Sequence, residues 1–225
     1  MFPAAFSPVR SFLQSQPWFA PLPTDQQDAL ESDVFTLAAT RGQTILQANV
    51  QTQGWYAVLR GLVKISAPAA TGRRSDFLGV AAGEWFGEGS ALKNEVRRYE
   101  VVALRDTELL CLPSASFHHL QATSLPFNQS VVAGLNLRLS QSMAMIEAGR
   151  TRSPEQRIAL SLSRLFWSRT RQLDLTQDEL ASLAGMSRQT ANRVLNALQE
   201  QGVLSLSMNR IRIRDDAALT ELLNS

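Results

Sequence analysis

Arg188, Gln189, Asn192, Arg193 and Asn196 recur along one side of the run SRQTANRVLNALQEQG, and no acid interrupts them before Glu200. These residue types read nucleobase edges. Arginine pairs through two donors with guanine O6 and N7, and glutamine or asparagine pairs likewise with adenine N6 and N7. Three further arginines, Arg210, Arg212 and Arg214, alternate along IRIR-type sequence, so they share one face of a strand and suit phosphate contact. A small helical domain with a solvated polar face is the plainer alternative for the first group. Together with the basic strand the pattern favours DNA.

The elements that must hold these side chains are legible on either side. Thr176 is a natural N-cap with Glu179 three residues on, which predicts a capping box and a helix through Leu180, Leu183 and Ala184. Gly185 marks the stop and turn. Ser187 caps a second helix whose apolar residues Ala191, Val194, Leu195 and Leu198 fall at i, i+3, i+4, i+7, a single buried stripe. Gly202 ends it. VLSLSMNRIRIR then alternates as a hairpin bending at Met208-Asn209, and DDAALTELLNS reads as a short final helix.

The LTQDELASLAGMSRQTANRVLNALQEQGVL run resembles the winged helix-turn-helix of the Crp-Fnr family of bacterial transcription regulators. The resemblance implies that the start of the second helix enters the major groove. It places base contacts on Arg188, Gln189 and Arg193, with Asn192 alongside; Thr176, Ser187, Arg210 and Arg212 complete the expected DNA-binding set. Catabolite-activator members carry glutamate where this chain has Gln189, so a different operator is expected. Double-stranded DNA, a second copy of the chain, RNA polymerase and a small-molecule effector are the partners that the family implies.

Further toward the N-terminus, GEWFGEGSALKNEVRRYEVVAL resembles the phosphate-binding cassette of cyclic-nucleotide-binding domains. The resemblance places effector contacts on Gly87, Glu88, Gly89, Ser90, Arg98 and Tyr99, with Arg98 standing at the position of the phosphate-holding arginine. Backbone N–H groups at a helix start together with an arginine suit an anion. In members that bind cyclic AMP the residue after the arginine is usually Ser or Thr. Here it is Tyr99, followed by the acid Glu100. Cyclic AMP, another small molecule and no effector at all stay open, and Arg98 paired with Glu88 or Glu100 is the structural alternative.

Around this cassette, VFTLAAT, QTILQ, GWYAVLRG, LVKISA, FLGVA, VVALR and ELLCLP predict some seven short strands in about 80 residues, which suits a barrel or roll. GWYAVLRGLVKIS reads as a hairpin about Arg60-Gly61. Before it, residues 5–33 predict short helices, one opening at Pro23-Thr24-Asp25 and running through Leu30.

After it, Val132, Leu135, Leu139, Ser142, Ile146 and Gly149 step by three and four along one helix. That is a coiled-coil seam and supplies a two-fold axis for a palindromic operator; a helix lying on its own barrel is the alternative. Ser142, the small polar residue in mid-seam, is either a ligand contact or a register device. Ser153, Pro154 and Gln156 predict a sharp new helix start, with Thr151-Arg152 as the hinge before it.

The expected architecture is α+β: an N-terminal sensor domain with a cyclic-nucleotide-binding-like β-roll over 1–127, a dimerisation helix over 128–150, and a winged helix-turn-helix over 151–225. Charge agrees. Residues 1–149 hold eleven basic against twelve acidic residues, whereas 150–225 hold eleven against eight, and Arg188–Arg214 hold five arginines against Glu200 alone.

The single cysteine, Cys111, fits a reducing cytoplasm, excludes a four-cysteine iron–sulfur cluster and reads as an inert core thiol. No apolar run approaches the ~20 residues of a membrane span, and no secretory leader is recognisable. His118 and His119 are adjacent and point apart, so they form no metal pair and offer little for a haem. No nucleophile elbow, zinc signature or phosphate loop appears, and an enzyme is not expected. The competing reading is a nucleotide-sensing or scaffold module whose helix-turn-helix contacts protein.

Overall fold

The computed structural model describes residues 8–68 and 74–225. Two compact units emerge: Met1–Val63 with Val80–Asn136, and Lys64–Gly79 with Leu137–Ser225. In the first, α1 (Pro8–Gln14) and α2 (Thr24–Asp33) precede β1 (Phe35–Ala39), β2 (Thr44–Leu46) and β3 (Gly54–Arg60). β4 (Leu62–Pro68) and β5 (Arg74–Ala81) come next in the chain and fall mostly in the second unit. Then come β6 (Trp85–Phe86), α3 (Glu88–Lys93), β7 (Glu100–Ala103), β8 (Thr107–Pro113) and α4 (Ser114–Thr123). Two four-stranded sheets run in the orders β1-β8-β3-β6 and β2-β7-β4-β5.

That order corrects the hairpin expected about Arg60-Gly61. β3 pairs antiparallel with β8 and β6, whereas β4 belongs to the other sheet. Gly61, at φ +94°, is a corner between sheets rather than a hairpin turn. A Cβ there would stand 2.6 Å from the Asp106 carbonyl oxygen, so only glycine lets the chain change sheet so close to its neighbour. Gly79 lies inside β5. Gly72 and residues 5–7 of the N-terminal stretch lie outside the described residues.

The first unit is centred on aromatic rings supplied by segments far apart in sequence. Trp55 stacks on Trp85 with centroids 4.2 Å apart, and Trp18 meets Phe127 edge-on at 5.1 Å. Leu13, Trp18 and Phe19 bring the N-terminal segment into this core, and Trp85 Nε1 donates to the buried Gln16 Oε1 at 2.9 Å. Helix α5 (Leu125–Thr151, 27 residues) holds all the residues of the expected stripe and begins three residues before the boundary read from sequence.

The second unit follows the sequence reading closely. Ser153 and Gln156 close a capping box on α6 (Pro154–Leu162), and Thr176 and Glu179 close one on α7 (Gln177–Leu183). α8 (Arg188–Glu200) starts at the Ser187 cap, and α9 (Asp216–Asn224) closes the chain. The wing has three strands rather than two. β10 (Leu204–Ser207) and β11 (Arg210–Ile213) pair as expected, and β9 (Gln172–Leu173), too short to signal itself, adds to the far edge of β11. Asp76 of β5 accepts from Lys64 at 2.7 Å, Ser66 at 2.6 Å and Ser182 of α7 at 2.5 Å.

Candidate nucleic-acid interface and effector site

α8 buries Ala191, Val194, Leu195 and Leu198 and turns Arg188, Gln189, Arg193 and Asn196 outward. Its start is fixed at two points. Ser187 Oγ accepts from Thr190 N at 3.1 Å, and Arg157 donates through Nη2 to the carbonyls of Ala184 and Gly185 at 2.7 and 2.8 Å. This clamp on the interhelical turn is not legible in the sequence, because Arg157 lies 27 residues before the first carbonyl it holds. Gly185 takes φ +64°, as a left-handed helix stop requires.

The sequence-predicted contacts differ in what they have free. Gln189 is exposed and its side chain makes no hydrogen bond among the described residues. Arg188 lies with Nε 2.8 Å from Asp178 Oδ1, and Arg193 donates through Nη2 to Glu155 Oε1 at 3.3 Å. Asn192 is half-buried, and its Oδ1 is enclosed without a partner, which leaves it less available than its neighbours. The hydroxyls of Thr176 and Ser187 act as helix caps.

On the wing, Ile211 and Ile213 point inward while Arg210 and Arg212 point outward. Arg210 Nε donates to Asp174 Oδ1 at 2.9 Å, whereas Arg212 makes no ion pair among the described residues. Arg214 lies one residue past the strand and is exposed.

In the sensor unit, Gly87 takes φ +90° and caps α3, whose Glu88 and Ser90 are buried. The arginine is where the reading changes. Arg98, assigned to the ligand from the resemblance, is an exposed side chain 4.0 Å from Glu95, not paired with Glu88 or Glu100. Arg97 is the buried one, 3% exposed. Its guanidinium lies over the Tyr56 ring, 5.1 Å from the centroid, reaches the Tyr56 hydroxyl, and makes long contacts to Gln47 O (3.4 Å) and Thr52 Oγ1 (3.5 Å). It has no carboxylate partner among the described residues.

The same Tyr56 ring would meet a Cβ on Gly87 at 3.6 Å, and the Tyr99 hydroxyl would meet it at 3.3 Å, so Arg97 faces the neighbourhood of the cassette's first glycine. The chain bends at Arg98-Tyr99, between the bridge at Val96 and the strand starting at Glu100. That bend breaks the alternation by which the inward arginine could have been counted from the sequence. Gly89 has open space around its Cα. Neither arginine is followed by Ser or Thr. Cys111 is fully buried, and burial pushes its thiol up to about 12.

Along α5, Val132, Leu139, Met143 and Ile146 are each more than half exposed, and Leu135 is exposed at 36%. Ser142 lies among them with its hydroxyl turned to the Arg138 carbonyl at 2.8 Å. No helix among the described residues is long and apolar enough to cross a membrane.

Residues 37–124 match the family model for the cyclic nucleotide-binding domain, and residues 156–222 match that for the Crp-like helix-turn-helix domain. A cyclic AMP receptor protein of Thermus thermophilus is 29% identical over 211 residues, covering 93% of this chain and 98% of its own. The crystal structure of a CRP/FNR-family transcriptional regulator from the same organism, 27% identical, aligns with a TM-score of 0.64 over 85% of this chain and 99% of that one. FixK2 of Bradyrhizobium japonicum, 19% identical, shares the fold at a TM-score of 0.72 over 84% and 96% of the two chains. With a cyclic nucleotide-binding domain followed by a Crp-like helix-turn-helix, the chain belongs to the Crp-Fnr family of transcription regulators.

Proposed function

We propose that the protein is a sequence-specific DNA-binding regulator that works as a homodimer on a palindromic operator and acts there on RNA polymerase. Residues 1–127 form the sensor, 128–150 the dimerisation helix and 151–225 the reader. The observation that carries this is the outward face of α8: Arg188, the unpaired Gln189 amide and Arg193, backed by a fully buried apolar stripe and a clamped turn. Such a face suits base edges in the major groove, and Arg210 and Arg212 on the adjoining wing suit phosphates. The exposed apolar stripe of α5 supports pairing of two copies, since two recognition helices are needed for two half-sites.

Titration of duplex DNA at several salt concentrations tests the division of labour. Arg188→Ala and Arg193→Ala each weaken specific binding by about 1–3 kcal/mol and relax preference at their own base position. Arg210→Ala or Arg212→Ala weakens binding to all sequences and lowers the salt slope by about 1. Identical behaviour of the two groups, or a strictly monomeric protein, contradicts the proposal.

For the sensor, we infer an anionic small-molecule effector held by Arg97, with Glu88 and Ser90 beside the α3 start. A cyclic nucleotide would place its phosphate at Arg97 and a ribose hydroxyl at Glu88, two buried side chains that make no ion pair among the described residues. The hydroxyl that usually follows the arginine in cyclic-AMP binders is replaced by Arg98. A thermal-shift series with cyclic AMP, cyclic GMP and cyclic di-GMP separates the candidates, and the shift must vanish in Arg97→Gln while surviving in Arg98→Gln.

A further inference from the structure

Arg188 and Arg193 meet their carboxylates through different nitrogens, and the difference decides what each has left for a base. Arg193 uses Nη2, which donates to Glu155 Oε1 at 3.3 Å, so it must release that contact before offering both ends of its fork. Arg188 forms an exposed ion pair with Asp178, Nε 2.8 Å from Oδ1, and neither of its terminal nitrogens makes a hydrogen bond among the described residues. A guanidinium presents its donors in a fixed planar fork, and guanine accepts two of them side by side at O6 and N7. A carboxylate at Nε therefore limits the swing of the guanidinium without occupying the nitrogens that would pair.

We propose that Asp178, at the start of α7, is a positioning residue for base reading. It holds Arg188 from behind so that Nη1 and Nη2 face a guanine, and its charge disfavours the alternative in which Arg188 settles on a phosphate. Phosphates are the commonest partners of arginine on DNA and carry no sequence information. A fixed negative charge beside the reading arginine weakens binding to DNA in general and sharpens the choice of base. Asp178 also stands in the first turn of α7, where any acid stabilises the helix dipole. That role affects stability and is indifferent to base identity, so the two can be separated. The inference rests on the proposal that α8 reads DNA.

The test uses the full chain and a pool of duplexes randomised over about 20 bp, two half-sites one helical turn apart, enriched with and without added cyclic nucleotides. Wild type, Asp178→Asn, Asp178→Glu and Arg188→Ala are then titrated on the enriched duplex, on the same duplex with the guanine replaced, and on an unrelated duplex. Arg188→Ala should remove the preference at one position per half-site, a loss of about tenfold or more. Asp178→Asn should reduce preference at that same position about two- to tenfold, the consequence of leaving one long side chain unordered, and should bind the unrelated duplex more tightly. Asp178→Glu, which restores the carboxylate, should recover part of the preference.

Full base preference in Asp178→Asn with only a lowered thermal midpoint, or a loss spread evenly over all positions, overturns the assignment to Asp178 while leaving DNA reading intact. Absence of any enrichment by the wild-type protein overturns both.

Discussion

A guanidinium at 3% exposure with no carboxylate partner among the described residues is expensive to fold around. Among the described residues Arg97 is offset by the face and hydroxyl of Tyr56 and by two long contacts to oxygen, and the anionic effector proposed above would supply the charge it lacks. It follows that Arg97→Met, which keeps the volume and removes the charge, should leave the thermal midpoint unchanged or raise it. Arg97→Met should at the same time abolish any anion-induced shift; a steep fall in the midpoint would instead make Arg97 a structural cation. Cys111, nearby on β8, behaves oppositely: it is fully buried, and its thiol is raised to about 12. Iodoacetamide at pH 8 should leave it unmodified in the native protein and label it fully in denaturant, by intact-mass measurement. The cysteine's burial was legible from its apolar neighbours ELLCLP. The choice between Arg97 and Arg98 was not, because the bend at Arg98-Tyr99 cancels the strand parity on which such a reading depends.

Elements whose signals are local were read well. The caps at Ser153, Thr176 and Ser187 stand where their spacing put them, because a cap bonds to a backbone N–H only three residues away. The stripe of α8 needs only a 3.6-residue period. β9 and the sheet assignment of β3 and β4 depend on partners remote in the chain, and there the reading failed or fell silent. For α5 the period gave the stripe, and the exposure of Val132, Leu139 and Ile146 gives its consequence. Leu139→Glu combined with Ile146→Glu should convert a dimer to a monomer in sedimentation velocity while far-UV circular dichroism stays unchanged. The double variant should also lose affinity for a palindromic duplex far more than for a single half-site. A double variant that still sediments as a dimer would place the interface elsewhere.

At the scale of the molecule, Asp76 shows how distant segments fix one another. Burial acts to raise its carboxyl, but hydrogen bonds from Lys64, Ser182 and Ser66 outweigh that and hold it below the ordinary 3.8. Its folded value therefore lies under its unfolded one. The stabilisation is fully present above about pH 4 and is lost as pH falls through the lower folded value. Urea unfolding should show Asp76→Asn clearly weaker than wild type at pH 7, the gap closing below pH 3.8; a gap independent of pH would leave the carboxylate without a role.

Sequence alone determined the fold class, helix α8 and its exposed arginines, since these rest on residue type, short-range caps and periodicity. Tertiary structure decided which arginine is buried, which strands share a sheet, and which acids pair with Arg188 and Arg193 on the exposed face of α8. Each of those is set by groups brought together by the fold rather than by local spacing, and sequence spacing carries no measure of the distance between them in space.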